Sequence, residues 1–190
     1  MIFIGSEIVK EVKAVRNDPS FVLASYIKKM KGATKRESRI DYLDSIISAA
    51  GVAIAISIIS LIAFAFGYPS IIAPIAASCV LIFGAHKGAF SQPRQIIGGH
   101  LFSATSGIII FHLIGNSYFS IGFTLAIVLV IMSLTKTMHP PAAASAIVAI
   151  ISEANWHYLV CIICCSLLLV LISILYNNLF KNRQYPQYWI

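Results

Sequence analysis

The chain has 190 residues, of which 58% are hydrophobic and only 11% charged, with a mean hydropathy of +0.86 and a formal net charge of +7. A soluble domain carries about a quarter charged residues, so this chain cannot cover a water-facing surface and reads as a one-domain integral membrane protein. Nine of its fourteen Lys and Arg residues precede Ser45, so the positive balance marks a membrane-flanking segment and excludes a nucleic-acid surface.

Residues 1–44 form a basic, amphipathic arm that is expected to lie in the cytoplasm. Its run KKMKGATKRESR, Lys28 to Arg39, is a polar linker whose charges set topology and can also meet anionic lipid. The opening MIFIGSEIVK lacks the ordered regions of a signal peptide, and none is expected. The apolar segments follow, with residues 45–190 read as the membrane domain. Ser45–Phe66, Ile96–Gly115, Tyr118–Thr135 and Trp156–Phe180 are each long enough to cross a bilayer, which takes about 20 residues. Ser70–Ala85 and Pro140–Ser152 are shorter, and prolines stand at or near their starts (Pro74, and Pro140 with Pro141). Trp156, Tyr158 and Tyr176 rim the last span as an aromatic belt would.

Charge placement decides how many segments cross. Between Ser45 and Phe180 the only formal charges are Lys87, Arg94, Lys136 and Glu153. If all six segments cross and the N-terminus is inside, then Lys87, Arg94, Lys136, Lys181 and Arg183 fall inside and Glu153 falls outside. Treating one or both short segments as re-entrant moves basic residues outward, so the positive-inside rule favours six crossings. An internal repeat agrees with that count. Pro74, Ala76, Ala77 and Ser78 recur 67 positions later as Pro141, Ala143, Ala144 and Ser145. Three crossings per repeat require inverted halves, as in many transporters. The expected fold is therefore an all-α polytopic bundle of four long and two short segments in an inverted 3+3 arrangement.

Broken helices are tolerated at membrane depth only where protein or a water-filled cavity surrounds them. Helix starts after Pro74 and Pro140 are expected to offer backbone N–H groups to an anion. Lys136 adds a cation, His139 a donor, and Thr135, Thr137, Ser78 and Ser145 hydroxyls. A buried lysine is costly and thus a functional candidate, although Lys136 also reads as a cap that snorkels to water. His139 reads equally as a structural group holding the break. In SQPRQIIGGH, Arg94 is an interfacial anchor or an anion-attracting group at a pore mouth, and His100 lines a path or bonds a neighbouring helix. Gly99, Ser103 and Gly107 form a small-residue stripe that admits a close helix. His86, His112 and His157 lie at segment ends. Cys79, Cys161, Cys164 and Cys165 sit in apolar runs and read as small core or lipid-facing residues rather than metal or redox ligands.

No enzyme constellation is present. The chain has no H-E-x-x-H, G-x-S-x-G or P-loop, and Glu153 is the one carboxylate after Asp44. Neither an enzymatic activity, a metal nor a cofactor is expected. The same scarcity of carboxylates argues against a proton relay built on acids.

Four ordered motifs then carry a resemblance: APIAASCVLIF (Ala73–Phe83), SQPRQIIGGHLFSA (Ser91–Ala104), SLTKTMHPPAAASA (Ser133–Ala146) and NNLFKNRQYPQYW (Asn177–Trp189). The chain resembles the HPP family of integral membrane proteins over roughly residues 45–189. That family is usually described with four spans, and its plant chloroplast members are linked to nitrite transport. The resemblance implies transport of a small inorganic anion, nitrite first. One departure concerns Ala76 and Ala143, where the family commonly carries glycine; an added methyl narrows backbone approach to a ligand.

The sequence reading is thus an anion transporter or channel in a bacterial cytoplasmic membrane, with its N-terminus in the cytoplasm. Its pathway residues are Lys136, His139, Pro140, Pro141, Arg94, His100, Pro74, Ser78, Ser145 and Thr137. Lys136→Ala is expected to cost more flux than His139→Ala, because a lysine is charged at any pH. The partners are the anion and the bilayer, and a homo-oligomer is compatible with the sequence. The alternatives are a channel for another small solute and a non-transporting membrane scaffold or sensor. A polar cavity between Pro74 and Pro140 would mark a transporter, and solid packing there a scaffold.

Overall fold

The computed structural model describes residues 19–30 and 41–189. Most of the basic arm, including the greater part of the Lys28–Arg39 run, lies outside the described residues. The chain divides into two units, Met1–Ile40 and Asp41–Ile190. The described part of the first is one helix, Pro19–Met30.

The second unit contains six helices: α1 (Tyr42–Ala65), α2 (Ile72–Gly84), α3 (Pro93–Ile114), α4 (Tyr118–Thr135), α5 (Ala143–Ile151) and α6 (Trp156–Asn177). Short 3-10 turns at Pro69–Ile71, Ala89–Ser91 and Pro140–Ala142 lead into α2, α3 and α5. Helices α1, α3, α4 and α6 are long and apolar enough to cross a membrane. Local chemistry sets the ends. Asp41 caps α1 by accepting from the Asp44 N–H at 3.0 Å. Ser117 and Ser120 cap α4 reciprocally, and Asn155 caps α6.

Helices α1 and α4 each turn one narrow face inward, whereas α3 and α6 are buried more broadly. In α1 that face is Gly51, Ala55, Ile59 and Ala63, and in α4 it is Ser120, Thr124, Val128 and Met132. Both run at a four-residue spacing, one helical turn apart. The remaining faces expose large apolar side chains such as Leu61, Phe64, Leu129 and Leu134. An exposed apolar surface of this kind suits lipid rather than water. The small stripe of α1 lets α2 pack closely, with Phe83 against Gly51 and edge-on to Tyr176, ring centroids 5.6 Å apart.

Cross-contacts fix the course of the chain. At one end Ser48 of α1 donates to the Phe83 carbonyl at the end of α2, 2.9 Å away. There too, Arg94 at the start of α3 donates to the Thr135 carbonyl at the end of α4, 2.9 Å away. Arg183, beyond α6, pairs with Asp44 at 3.3 Å. At the opposite end the Tyr68 hydroxyl, before α2, donates to Asn155, before α6, at 3.0 Å. Successive helices therefore reverse direction, and α2 and α5 are antiparallel. Lys87, Arg94, Lys136 and Arg183 gather at the first end, and Glu153 lies toward the second. The six-segment alternation expected from charge is the one found.

Length separates the two short segments from the rest. The Pro140 turn with α5 rises about 20 Å, and α3 about 33 Å, against a hydrocarbon layer of about 30 Å. The break before α5 is therefore drawn into the bundle, where α3 receives it. A Cβ on Gly98 would lie 2.5 Å from Thr137 Cγ2, and one on Gly99 2.7 Å from His139 Cβ. One on Gly107 would lie 2.6 Å from the Ala146 carbonyl oxygen. The glycines are spaces into which the break and α5 fit, which makes the stripe a packing seam.

Candidate functional site

Proline begins the site. It biases the preceding residue toward extended backbone, and His139 is extended with φ −139° and ψ 91°. The chain thus leaves α4 at Lys136, runs straight through His139, and only then turns into α5. His139 is fully buried. Its Nδ1 lies 2.7 Å from the Phe90 carbonyl and its Nε2 2.9 Å from Ser78 Oγ on α2. Ser78 Oγ is also 2.9 Å from His100 Nε2 on α3, and His100 Nδ1 is 2.8 Å from Ser145 Oγ on α5. The two imidazole rings stand 5.5 Å apart. Ser78, His100, His139 and Ser145 all have 0% exposure, so water does not reach them in this conformation.

The hydrogens of this chain can be assigned by elimination. A carbonyl only accepts, so His139 Nδ1 carries a proton. In the neutral ring Nε2 must then accept, and Ser78 is the group that donates to it. With its single hydrogen committed, Ser78 accepts from His100 Nε2–H. His100 Nδ1 is then an acceptor, and Ser145 donates to it. The result is one directed path, Ser145 to His100 to Ser78 to His139 to the Phe90 carbonyl. Ser78 Oγ also lies 3.0 Å from the Pro74 carbonyl, a second acceptor for the same hydrogen.

The ten residues singled out from sequence fall into three groups. Ser78, His100, His139 and Ser145 form the buried chain, with the Pro74 carbonyl beside it. Arg94, Lys136 and Thr137 form a collar one step toward the basic end. Arg94 is half-buried and donates to the last turn of α4, where a cation suits the negative end of the helix dipole. Thr137 is buried, and its hydroxyl lies 2.7 Å from that of Thr135. Lys136 is exposed and closes α4 in the left-handed conformation, φ 56°. Pro140 is exposed and Pro141 half-buried, so they shape the turn from its rim.

The expectation that both proline-started helices present N–H groups to a ligand is corrected. Pro140 and Pro141 have no N–H to give. The next two amides are already used, Ala142 bonding the His139 carbonyl at 3.0 Å and Ala143 the Pro140 and Pro141 carbonyls. Nor does Pro74 start its helix: the helical segment begins at Pro69, and Pro74 is the third residue of α2. Donors at this site come from side chains.

Several residues escaped the sequence reading. Tyr158 is fully buried rather than part of a belt, and its hydroxyl donates to the Ser145 carbonyl at 3.0 Å. Tyr176 likewise turns inward, donating to the Ile47 carbonyl at 2.8 Å, while Trp156 is exposed as a belt residue should be. His86 is buried beside Arg183, and its Nδ1 accepts from Nη2 at 3.1 Å. Burial first, and then the Arg183 charge, push its imidazole below the ordinary histidine range. Arg183 also donates to the Phe83 carbonyl, and Tyr185 reaches the Ser91 carbonyl at 2.9 Å. The closing segment is thus pinned across the loops that carry Phe90. The signal for it was present in the polar residues of NNLFKNRQYPQYW. Cys79, Cys161 and Cys165 are buried and Cys164 exposed, all as free thiols in apolar surroundings.

A bundle of this kind, with lipid-facing outer surfaces and a buried polar chain at a proline break, defines a polytopic integral membrane protein. Comparison with known proteins gives the family. Residues 37–186 match the model described as "HPP, transmembrane region", and the chain belongs to the HPP family. It is 33% identical over 177 residues to a transmembrane protein of Dictyostelium discoideum, covering 86% of this chain and 57% of that one. A second Dictyostelium discoideum transmembrane protein is 34% identical over 128 residues, covering 63% of this chain and 45% of its own length. The chain thus spans about half the length of these relatives. No solved structure matches it.

Proposed function

We propose that the protein moves a small inorganic anion across the membrane, with nitrite the first candidate, and performs no covalent chemistry. One observation carries this reading. Two histidines and two serines from three helices and a helix break converge, fully buried, into one hydrogen-bonded chain with no carboxylate among them. Imidazole N–H and hydroxyl groups donate to anions, and the nearest formal charges, Arg94 and Lys136, are positive. The link of plant HPP members to nitrite supplies the substrate. We read the basic end as facing the cytoplasm of a bacterial cell, which follows from the positive-inside rule.

Complete burial favours a second reading, the solidly packed scaffold. Under the transport reading it requires α5 to shift against α3 before an anion can enter. Proteoliposomes holding the purified chain, compared side by side with nitrite, nitrate, formate and chloride and with protein-free vesicles, separate the two. Protein-dependent uptake, largest for nitrite and lost in His139→Ala, is expected. Uptake equal to that of protein-free vesicles for all four anions leaves the scaffold.

A further inference from the structure

Ser78 carries one hydrogen and faces three partners, the Pro74 carbonyl, His100 Nε2 and His139 Nε2. A hydroxyl accepts twice and donates once. When His139 is neutral, the hydroxyl must point to His139 Nε2. When His139 holds a second proton, both of its nitrogens donate, to Phe90 and to Ser78. The Ser78 hydroxyl then turns to the Pro74 carbonyl. His100 keeps the same tautomer throughout, donating from Nε2 to Ser78 and accepting from Ser145. All heavy atoms can stay in place in both states, and each state leaves every imidazole nitrogen partnered. One added proton is accommodated by one hydroxyl rotation.

We propose that His139 is a proton-loading site with Ser78 as its rotor, and that the protein carries one proton together with each anion. The proposal rests on the transport reading above. In the loading step, taken when the site is open to one aqueous side, a hydronium O–H bond breaks as the His139 Nε2–H bond forms, water leaves, and the Ser78 O–H turns from Nε2 to the Pro74 carbonyl. Release reverses it.

The coupling follows from the charges around the site. On α2 the neighbouring titratable group is Cys79, and on α3 it is His100, with Arg94 nearly two turns toward the basic end. Helix α4 contributes Thr135 and ends in the exposed Lys136. Helix α5 brings Ser145, α6 brings Tyr158 and Cys165, and the turn before α3 offers the Phe90 carbonyl. Among the described residues the carboxylates lie elsewhere: Glu153 toward the opposite end, Asp41 capping α1, and Asp44 paired with Arg183. An imidazolium at His139 is therefore a buried cation whose nearest charged neighbours are also cations. A buried charge needs a counter-charge, and here the transported anion supplies it. Proton and anion each make the other's entry favourable, and the pair crosses without net charge.

The test uses the full chain in proteoliposomes with a pH-sensitive dye inside and the membrane potential set by potassium and valinomycin. Nitrous acid crosses lipid unaided, so the flux of protein-free vesicles is subtracted. A nitrite pulse is expected to acidify the lumen in step with protein-dependent uptake, at a rate unchanged by the imposed potential. Ser78→Ala, which removes the rotor and keeps both histidines, is expected to lower the proton-linked flux at least about tenfold. Ser78→Thr, which keeps the hydroxyl, restores it and guards against a variant that merely misfolds. Protein-dependent nitrite uptake that follows the potential without acidifying the lumen overturns the coupling and leaves anion transport standing. No protein-dependent flux of any anion overturns the transport reading, and the coupling falls with it.

Discussion

His100 has a hydrogen-bond partner on each side, so replacing it by residues that keep one side at a time measures the site. Asparagine places an amide near the Nδ1 position and keeps Ser145, and glutamine reaches the Nε2 position and keeps Ser78. Leucine keeps neither. The two bonds are 2.9 Å and 2.8 Å long and join α3 to α2 and to α5. Hydrogen bonds between membrane helices average about 0.6 kcal/mol and reach about 1.7 kcal/mol. Leucine therefore costs about 1–3 kcal/mol, and each amide about half of that. In a domain of this size one kcal/mol moves the melting temperature by about 2–4 °C. The expected order in detergent is wild type, then asparagine and glutamine together, then leucine several degrees lower. Ser145→Ala combined with His100→Leu should cost less than the sum of the two single changes, because both remove the same bond. A leucine variant as stable as wild type, with simple additivity in the double variant, would show that the chain of polar contacts does not hold the helices together.

Gly107→Ala is expected to cost about 1–3 kcal/mol in detergent melting, because its methyl meets the Ala146 backbone at 2.6 Å. Gly122→Ala meets nothing within 4 Å and should be neutral or stabilising. Cysteines placed at positions 87, 136 and 182 in a cysteine-free background should label from one side of the membrane, and one at 153 from the other; labelling of 87 and 136 from opposite sides contradicts the alternation of helices. His86 is held below its ordinary range, so the unfolded chain binds more protons as the pH drops. Its stabilisation is present above about pH 6.5 and is lost as the pH falls below that, which thermal melts of wild type against His86→Gln from pH 8 to pH 5 would register as a loss specific to wild type. His139→Ala is expected to reduce nitrite flux more than Lys136→Ala, the reverse of the order that charge alone suggests; equal loss would return Lys136 to the pathway.

What the sequence made legible followed from period and charge. The four long helices are set by apolar length, and the alternation of six segments by five basic residues and one acid. The pairing of Ser78 with Ser145 could be found because the repeat keeps its offset, although nothing local said that one imidazole would join them. The position of Tyr158 was not legible, and that of Lys136 only as one of two readings, the exposed helix cap against the buried cation. Both depend on which way a helix face turns, and in a segment that is apolar on every side the period of hydrophobicity carries no direction. Lys136 points outward because α4 ends there in a left-handed residue. Tyr158 points inward because the Ser145 carbonyl accepts its hydroxyl. The helix-start argument failed for a different reason, since it counted N–H groups at a terminus whose first two residues are prolines.

The break and the repeat then explain each other. A short helix in a thick layer must begin among side chains, so its approach has to be satisfied by neighbours. Here the neighbours are α3, which supplies glycines for closeness and His100 for bonding, and α2, which supplies Ser78. Because α2 and α5 are antiparallel, their two repeat serines reach His100 from opposite sides of the ring. Movement of α5 relative to α2 cannot preserve both bonds. On the proposed transport function, a shift that keeps one serine on the imidazole would release the other and free its hydroxyl for the anion. Under the transport reading proposed above, the ring that joins both serines is the point at which opening toward either side would begin.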